Sequence, residues 1–489
     1  MAEMHVFKKS DIEKILNNCV GKTLGQVDVN HVFDRTKMNP KITGIVGNVV
    51  EQSIFGYPAD QDQRADLLVD GVPTELKATG LRRSKSDSGM YEAKEPMSIT
   101  AVSPETIVFE EFESSHFWEK LEHLLLIYYL YDSKGTVTAA EYADFPIEGY
   151  DFHEFSLEDK KILEHDWTVV RDFIRFIQET YSTPEGQYPR ISHELRNQLL
   201  YIDTAPKWPN RPRFRLKRAV VTTMWEKCYG KKYEQLNLYA FNFKELDMEC
   251  HRIATQYRYC TVKEILDKIQ YNAMRINKSI LEPVVIAMFG GHSKKMADIE
   301  IFSKLGLIGK NIILTYNGHR TEDIKLNLVD FDDIMNPDIS FEESACYDYF
   351  YNRTFLFSVF EEPYKPATKE KVPLEVCRFL GFKRLSFDDQ FVNGEVRSTW
   401  EMVRSLILNH ELKDVVEYNR NGEPVINRCG TVRSAPNFPK SSEKTVFLRG
   451  SSTNSSYKPI VINGIHMTFQ NYWIKGTYIV DLLKENQFL

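Results

Sequence analysis

The chain has 489 residues, a length typical of two or more domains rather than of a single hydrophobic core. Its composition is that of a globular protein, with 42% hydrophobic and 27% charged residues. The net charge of −7 excludes nucleic-acid binding through the field of the whole molecule, so any such contact must come from local basic patches.

Cysteine usage and apolar runs limit the class of protein further. The seven cysteines are scattered and form no C-x-x-C pair, which argues against a disulfide framework and against structural zinc. The charged N-terminal stretch does not resemble a signal peptide, and the longest apolar run, LLLIYYLY (124–131), is too short for a membrane helix. We therefore expect a cytoplasmic protein with no membrane partner.

In chain order, the local patterns predict alternating helices and strands. SDIEKILNNCV starts with Ser10, which is expected to cap a helix, and GIVGNVVEQSIFG (44–56) has helical periodicity. A hairpin over Asp66–Lys77, a buried strand at 124–131 and a long amphipathic helix over 158–181 follow. This order predicts an α/β or α+β fold in which helices flank a mixed sheet.

The stretch RADLLVDGVPTELKATG (64–80) contains Asp70-Gly71, the strongest hairpin signal in the chain. A two-residue turn there pairs Val69 with Val72 and places Asp66 opposite Glu75, with Lys77 on the face of Glu75. Like charges directly opposite each other destabilise a sheet, so a cation is expected between the two carboxylates. Pro73 cannot donate to a ladder, which predicts a bulge or an edge at that position.

The spacing of these residues leaves two interpretations open. Two carboxylates and a lysine on one sheet face could hold Mg²⁺, which prefers oxygen ligands and can activate water for attack on a phosphodiester. The alternative is a surface hairpin in which Lys77 only screens Glu75, and E-x-K also starts at Glu92, Glu158 and Glu411.

Two further residues are candidates for the same site. Glu51 lies in the preceding amphipathic segment and could contribute a third carboxylate, although a solvated helix residue would look the same. Lys120 comes just before the buried strand, and its alternative interpretation is a lysine at a helix end.

A cationic block predicts contact with nucleic acid. KWPNRPRFRLKR (207–218) contains six basic residues, no acidic residue and interleaved aromatic rings, which is typical of phosphate binding, although a solvated loop remains an alternative. Arg82 and Arg83 add charge just beyond Lys77. The basic residues of the block are Lys207, Arg211, Arg213, Arg215, Lys217 and Arg218.

Several blocks recur in the same order in the second half of the chain, which indicates a tandem duplication. The segment around Phe55 matches that around Phe289, Asp66 and Lys77 match Asp298 and Lys310, and RPRFRLKRAVVTTMW matches FQNYWIKGTYIVDLL. The predicted domains are residues 1–235 and 250–489.

Four of these blocks, GIVGNVVEQSIFG, RADLLVDGVPTELKAT, SSHFWEKLEHLLLIYY and RPRFRLKRAVVTTMW, together resemble the MutH-like nucleases. That family includes a mismatch-repair nicking enzyme and the Sau-type type II restriction endonucleases, which have two domains and cut GATC. The resemblance implies two tandem restriction-endonuclease-like domains. It also implies that Asp66, Glu75 and Glu51 bind Mg²⁺ and that Lys77 and Lys120 are active-site lysines.

The same resemblance implies that the second copy is catalytically inactive. Asp298 and Lys310 persist, but Ile308 stands in place of Glu75. Val285 replaces Glu51, and Tyr351 falls at or near the position of Lys120. An isoleucine cannot bind Mg²⁺, so we expect this domain to bind DNA without cutting, with Lys475 as the counterpart of Lys217 and with allosteric control by a second GATC site.

The expected function is that of a type II restriction endonuclease, which hydrolyses duplex DNA at GATC with Mg²⁺ and leaves 5′-phosphate ends. A cognate methyltransferase that acts on the same DNA, and a dimer or a DNA-looped assembly on two sites, are further expectations. The alternatives are a nicking enzyme of mismatch repair, a non-catalytic DNA-binding protein, and a structural protein with an incidental basic loop.

Overall fold

The structure is a computed structural model. It describes residues 5–58, 64–84, 90–133, 137–205, 211–238, 241–320, 322–366, 371–427, 430–452, 454 and 456–489. The described residues form two compact units. The first contains 5–133, 137–246 and the separate segment Asp298–Leu305, and the second contains Asp247–Ala297 and Gly306–Leu489.

The first unit contains two sheets. The order of the larger sheet is β1-β2-β3-β6-β7, with β4 added to the end of β3, and the smaller sheet is β5-β9-β8. The strands are β1 (His5–Phe7), β2 (Leu67–Val69), β3 (Val72–Arg83), β4 (Tyr91–Ala93), β5 (Met97–Ala101), β6 (Leu124–Leu130), β7 (Ile147–His153), β8 (Ile202–Ala205) and β9 (Arg213–Leu216).

Helices flank these sheets, as the sequence predicts. The longest, α7, carries its buried residues at helical spacing, and Ser156 caps its first turn. The helices of the first half of the chain are α1 (Lys9–Asn17), α2 (Leu24–Val27), α3 (Arg35–Met38), α4 (Ile45–Val49) with a π-helical turn over Val50–Ile54, α5 (Pro104–Ile107), α6 (His116–Glu119), α7 (Leu157–Thr180), α8 (Ile191–Glu194) and α9 (Arg218–Cys228).

Strand β6 is the centre of the larger sheet. It pairs in parallel with β3 on one side and antiparallel with β7 on the other, and all seven of its residues are buried, as expected for a strand covered on both faces. Leu76 of β3 and Leu125 of β6 share one face and pack in one core with α1 and α4. Glu75 and Lys77 therefore point to the opposite face of the sheet.

The hairpin forms as the sequence predicts. Asp70 and Gly71 both have positive φ, at 47° and 87°, and Val69 pairs with Val72. Pro73 pairs with Leu68 without a bulge. Its missing N–H falls on the far side of β3, where pairing with β6 starts only at Glu75.

The predicted serine cap of the first helix is wrong. Helix α1 begins at Lys9, so Ser10 lies inside its first turn, and Lys8 at the cap position makes no side-chain cap bond. Instead, the Lys9 N–H donates to the Asp70 carboxylate, at 3.2 Å, from the hairpin turn. A tertiary contact thus replaces the local cap that the sequence suggested.

The second half of the chain contributes the remaining strands. They are β10 (Leu307–Leu314), β11 (Ile324–Leu328), β12 (Thr354–Glu361), β13 (Arg378–Leu385), β14 (Asp414–Val416), β15 (Ser434–Pro436), β16 (Val446–Gly450), β17 (Ile460–Ile462), β18 (Ile465–Met467) and β19 (Gln470–Ile474). The α-helices are α10 (Phe243–Tyr257), α11 (Val262–Lys268), α12 (Leu281–Met288), α13 (Glu300–Lys304), α14 (Phe331–Met335), α15 (Ala345–Tyr351), α16 (Asp389–Phe391), α17 (Arg397–Leu408) and α18 (Gly476–Glu485).

The two units repeat one architecture, which supports the tandem duplication. In the first, β3 runs parallel to β6 and β6 antiparallel to β7, and in the second β10, β12 and β13 pair in the same way. The smaller sheets, β5-β9-β8 and β11-β19-β16, are both antiparallel. The fold class is therefore mixed α/β with sheets flanked by helices, as expected.

The six cysteines in the described residues are all free, and no helix within those residues is long and apolar enough to cross a membrane. The first finding agrees with the expectation from cysteine spacing.

The hairpin turn gives a first prediction. Gly71→Ala should lower the free energy of unfolding by about 1–2 kcal/mol, because alanine is strained at positive φ. The matched control is Gly47→Ala, in the helical segment over 45–54, where no atom blocks a Cβ. This change should raise stability by about 0.5–1 kcal/mol. Urea denaturation measures both, and equal effects of the two changes would contradict the assignment of the turn.

Candidate active site

Glu75 is the centre of the site, on the face of β3 opposite to Leu76. It is only 2% exposed, yet both carboxylate oxygens have cationic partners. Lys77 Nζ lies 2.5 Å from Oε1, and Lys120 Nζ lies 2.8 Å from Oε2. This burial shows that Glu75 is not a solvated surface residue.

Lys120 reaches Glu75 because a short helix is fixed ahead of β6. The buried Ser115 hydroxyl accepts the Trp118 N–H and donates to the Phe112 carbonyl, which sets the start of α6. Lys120 follows directly as the C-cap of that helix. Its ammonium also donates to the Arg64 carbonyl at 2.6 Å, so it connects the hairpin entrance with the strand that carries Glu75.

Asp66 lies immediately before β2 and extends the hairpin through its side chain. Its Oδ2 accepts the Leu76 N–H at 2.8 Å, in the position where a main-chain carbonyl would continue the ladder. Burial and the neighbouring Glu75 carboxylate raise the pKa of Asp66 to about 6, against the opposing effects of this hydrogen bond and of Lys120 and Lys77. Two carboxylates and two ammonium groups therefore share one small volume.

Glu51 lies in the π-helical turn Val50–Ile54, on the helical segment that packs in the same core as β2 and β3. Within the described ranges, no three His, Cys, Asp or Glu side chains come close enough together to hold a metal ion. The donors of a cation site would thus be Asp66 and Glu75. Two carboxylates fit Mg²⁺, which keeps several waters and takes its remaining ligands from substrate phosphates.

The basic block forms strand β9 and the start of α9. Arg213 and Arg215 alternate with the buried Phe214 and Leu216, so the arginines lie on the outer face of the smaller sheet. Arg215 pairs with Asp203 through two nitrogens, at 2.7 and 3.1 Å. Arg211 pairs with Glu105 at 2.6 Å, and Lys207 lies outside the described residues.

The structure brings Arg82 together with Arg218, which the sequence does not predict. Both guanidinium groups contact Glu92 Oε1, at 2.8 and 3.3 Å. Arg83 pairs instead with Asp132, at 3.2 Å, in an exposed ion pair. Because an exposed ion pair contributes little to stability, a DNA phosphate group can compete with Asp132 for Arg83.

Strand β10 of the second unit carries the counterparts of Glu75 and Lys77. Glu75 pairs with Leu124 and Ile308 with Phe355, while Lys77 pairs with Leu126 and Lys310 with Phe357. Burial lowers the pKa of Lys310 to about 8, and its ammonium donates to the Lys325 carbonyl. Val285 lies buried in α12, Tyr351 ends α15, and Lys475 is the N-cap of α18 as Lys217 is of α9.

Asp298 does not occupy a second hairpin. The chain forms helix α13 (Glu300–Lys304) where the first copy has β2, and the segment Asp298–Leu305 belongs to the first unit rather than to the second. The second copy has thus lost both the central glutamate and the hairpin that would hold its partner.

Comparison with known proteins gives a family match that spans these residues. Residues 55–166 match the family model described as DNA mismatch repair enzyme MutH, a range that includes Asp66, Glu75, Lys77 and Lys120. This part of the first unit is therefore similar to MutH.

The chain also resembles a particular restriction enzyme. It is 23% identical over 516 aligned positions to the type II restriction enzyme Sau3AI of Staphylococcus aureus, and the match covers 96% of this chain and 97% of the relative. These two matches confirm the resemblance to the Sau-type members of the MutH-like nucleases.

Sequence reasoning missed the residues that hold the site in place. Ser115 and the Arg64 carbonyl fix Lys120, and Glu92 joins Arg82 to Arg218. A Ser-x-x-Trp start before a buried strand is a local cap signal that could have identified Ser115, whereas no sequence pattern indicates the other two contacts.

The raised pKa of Asp66 gives a prediction for metal-free protein. Its value of about 6 exceeds the value of about 3.9 of an unfolded chain, so the Asp66 contribution to stability is present at low pH and is lost as pH rises through 6. Asp66→Asn should therefore unfold at a higher urea concentration than the wild type above pH 6. The difference should shrink towards pH 4, and a difference independent of pH would contradict the assignment.

Proposed function

We propose that the protein is a type II restriction endonuclease that hydrolyses duplex DNA at GATC and leaves 5′-phosphate ends. The observation that carries this proposal is the buried cluster of Asp66, Glu75, Lys77 and Lys120 within a MutH-like domain. The resemblance to a named type II restriction enzyme over nearly the full chain supports the same function.

In this proposal Asp66 and Glu75 hold Mg²⁺, with Glu51 as a further carboxylate that the family resemblance implies. When bound, Mg²⁺ supplies Lewis-acid polarisation of the phosphodiester and lowers the pKa of a coordinated water. Lys77, which is 23% exposed, is the lysine placed to orient the attacking water and to offset phosphate charge. Lys120 is more deeply buried and fixes the orientation of the Glu75 carboxylate through its contact with Oε2.

The second unit would bind DNA without cutting. Ile308 offers no ligand in place of Glu75, and α13 replaces the hairpin that would carry a metal-binding aspartate. Lys475, at the start of α18 as Lys217 is at the start of α9, is the cation expected to contact a phosphate. A second GATC duplex bound there would stimulate cleavage at the first.

The matching family model bears the name of a mismatch-repair enzyme, which favours nicking as a second candidate function. Incubation of unmethylated GATC-bearing plasmid with the purified protein and Mg²⁺ separates the two. We expect linear fragments whose sequenced ends fall at GATC and no cleavage in EDTA. Open circles that need a partner protein would favour the nicking enzyme, and intact plasmid would refute both.

Substitutions in the cluster test the assignment of the catalytic residues. Glu75→Gln and Lys77→Met should each lower kcat by about 10²–10⁴-fold, because they remove a metal ligand and the group that orients the water. The matched control is Lys310→Met, at the equivalent position of β10, which should keep kcat within threefold of the wild type. Equal losses in Lys77→Met and Lys310→Met would contradict a single cutting site.

A further inference from the structure

A helix from the second half of the chain is built into the first unit. Segment Asp298–Leu305 follows residues of the second unit and is followed at Gly306 by the strand β10 region, yet its own contacts assign it to the first unit. In the duplication it is the counterpart of the hairpin that carries Asp66 in the first copy. Instead of a second hairpin, this segment forms helix α13 and packs in the first unit.

The segment is fixed by a buried cluster of charges. Lys304, only 6% exposed, places its ammonium 2.7 Å from both oxygens of Asp159 at the start of α7 and 2.7 Å from Glu300 Oε1. Lys227 of α9 lies 2.6 Å from the same Glu300 oxygen. The four side chains carry two positive and two negative charges, so the cluster is balanced and each member depends on the others.

This cluster is connected to the basic strand by a short series of hydrogen bonds. The Tyr201 hydroxyl donates to Asp159 Oδ1 at 2.9 Å, and the Tyr201 carbonyl accepts the Lys217 N–H at 2.8 Å. Strand β8 follows Tyr201 and pairs along its full length with β9. On the other side, Ser303 Oγ lies 2.9 Å from Thr223 Oγ1 of α9, the helix that begins at Arg218.

We propose that the segment Asp298–Leu305 is a positioning element of the nuclease unit. Lys304 holds α7, Tyr201 and α9 in the arrangement that presents Arg213, Arg215, Lys217 and Arg218 to the DNA backbone. This inference rests on the proposed function, and it identifies a part of the second repeat on which DNA binding by the first unit depends. Lys304 itself touches neither Glu75 nor the expected substrate, so it acts through the residues it positions.

The location of the cluster favours positioning over general support of the fold. Its contacts reach α7, Tyr201 directly before β8, and α9, which follows β9, whereas Glu75 itself is held by Lys77 and Lys120. Loss of Lys304 should therefore change the affinity for DNA and leave the chemistry of Glu75 and Lys77 intact. A residue that only stabilised the fold would instead lower the active fraction, and with it kcat, without changing KM.

The test uses the full chain with Lys304→Met, a change that keeps the length of the side chain but removes the charge. The Kd for a GATC duplex is measured by fluorescence anisotropy in EDTA, and KM and kcat are measured in Mg²⁺. We expect Kd and KM to rise about tenfold, with kcat within twofold of the wild type. The double variant Lys304→Met/Asp159→Asn, which removes both charges, should recover part of the affinity.

A second variant keeps the test decisive if Lys304→Met does not fold. Lys227→Met alters the more exposed partner of Glu300, and we expect Kd to rise twofold to threefold with kcat unchanged. Wild-type Kd in both variants, or lower kcat with unchanged Kd and KM, would overturn the proposal. If wild-type protein binds the duplex but does not cut it, the proposed function fails, while the Kd values still decide whether the segment positions the basic strand.

Discussion

The buried contact between Glu75 and two lysine ammonium groups is the constraint on which the first unit depends. A carboxylate that is 2% exposed is costly unless it is fully paired, and removal of one partner of a buried pair typically costs about 3–5 kcal/mol. Lys77 comes from the strand of Glu75, but Lys120 must be delivered by a separate helix whose start Ser115 fixes. The hairpin, the central strand and that short helix are therefore held in one arrangement.

The two units share this frame of strands, but the second has no carboxylate at the position of Glu75. Strands β3, β6 and β7 have the same directions as β10, β12 and β13, and in both copies a lysine starts the helix that follows the middle strand of the smaller sheet. An apolar residue at Ile308 removes the need for paired ammonium groups, and the segment before it is free to form α13. The replacement of the buried glutamate by Ile308 thus accompanies a change of the preceding segment from hairpin to helix.

Much of this organisation could be predicted from local signals in the sequence. Asp70-Gly71 predicts the turn of the hairpin, and the apolar run at 124–131 predicts a buried strand. The order of the recurring blocks indicates a tandem duplication. Contacts between residues far apart in the chain have no comparable pattern in the sequence. The Asp70 contact with α1, the Glu92 contact with two arginines and the docking of Lys304 on Asp159 depend on tertiary packing. The resemblance to a family, rather than spacing, singled out Glu75 among four E-x-K glutamates.

We propose that the first unit alone holds the metal for cutting. Mn²⁺ binding followed by electron paramagnetic resonance, with saturating uncleavable GATC duplex, tests it most directly in two matched variants. We expect Asp66→Asn to lose the tight site and Asp298→Asn, at the duplicated position, to retain it. Retention of the site in Asp66→Asn, or its loss in Asp298→Asn, would refute a single metal site built on Asp66.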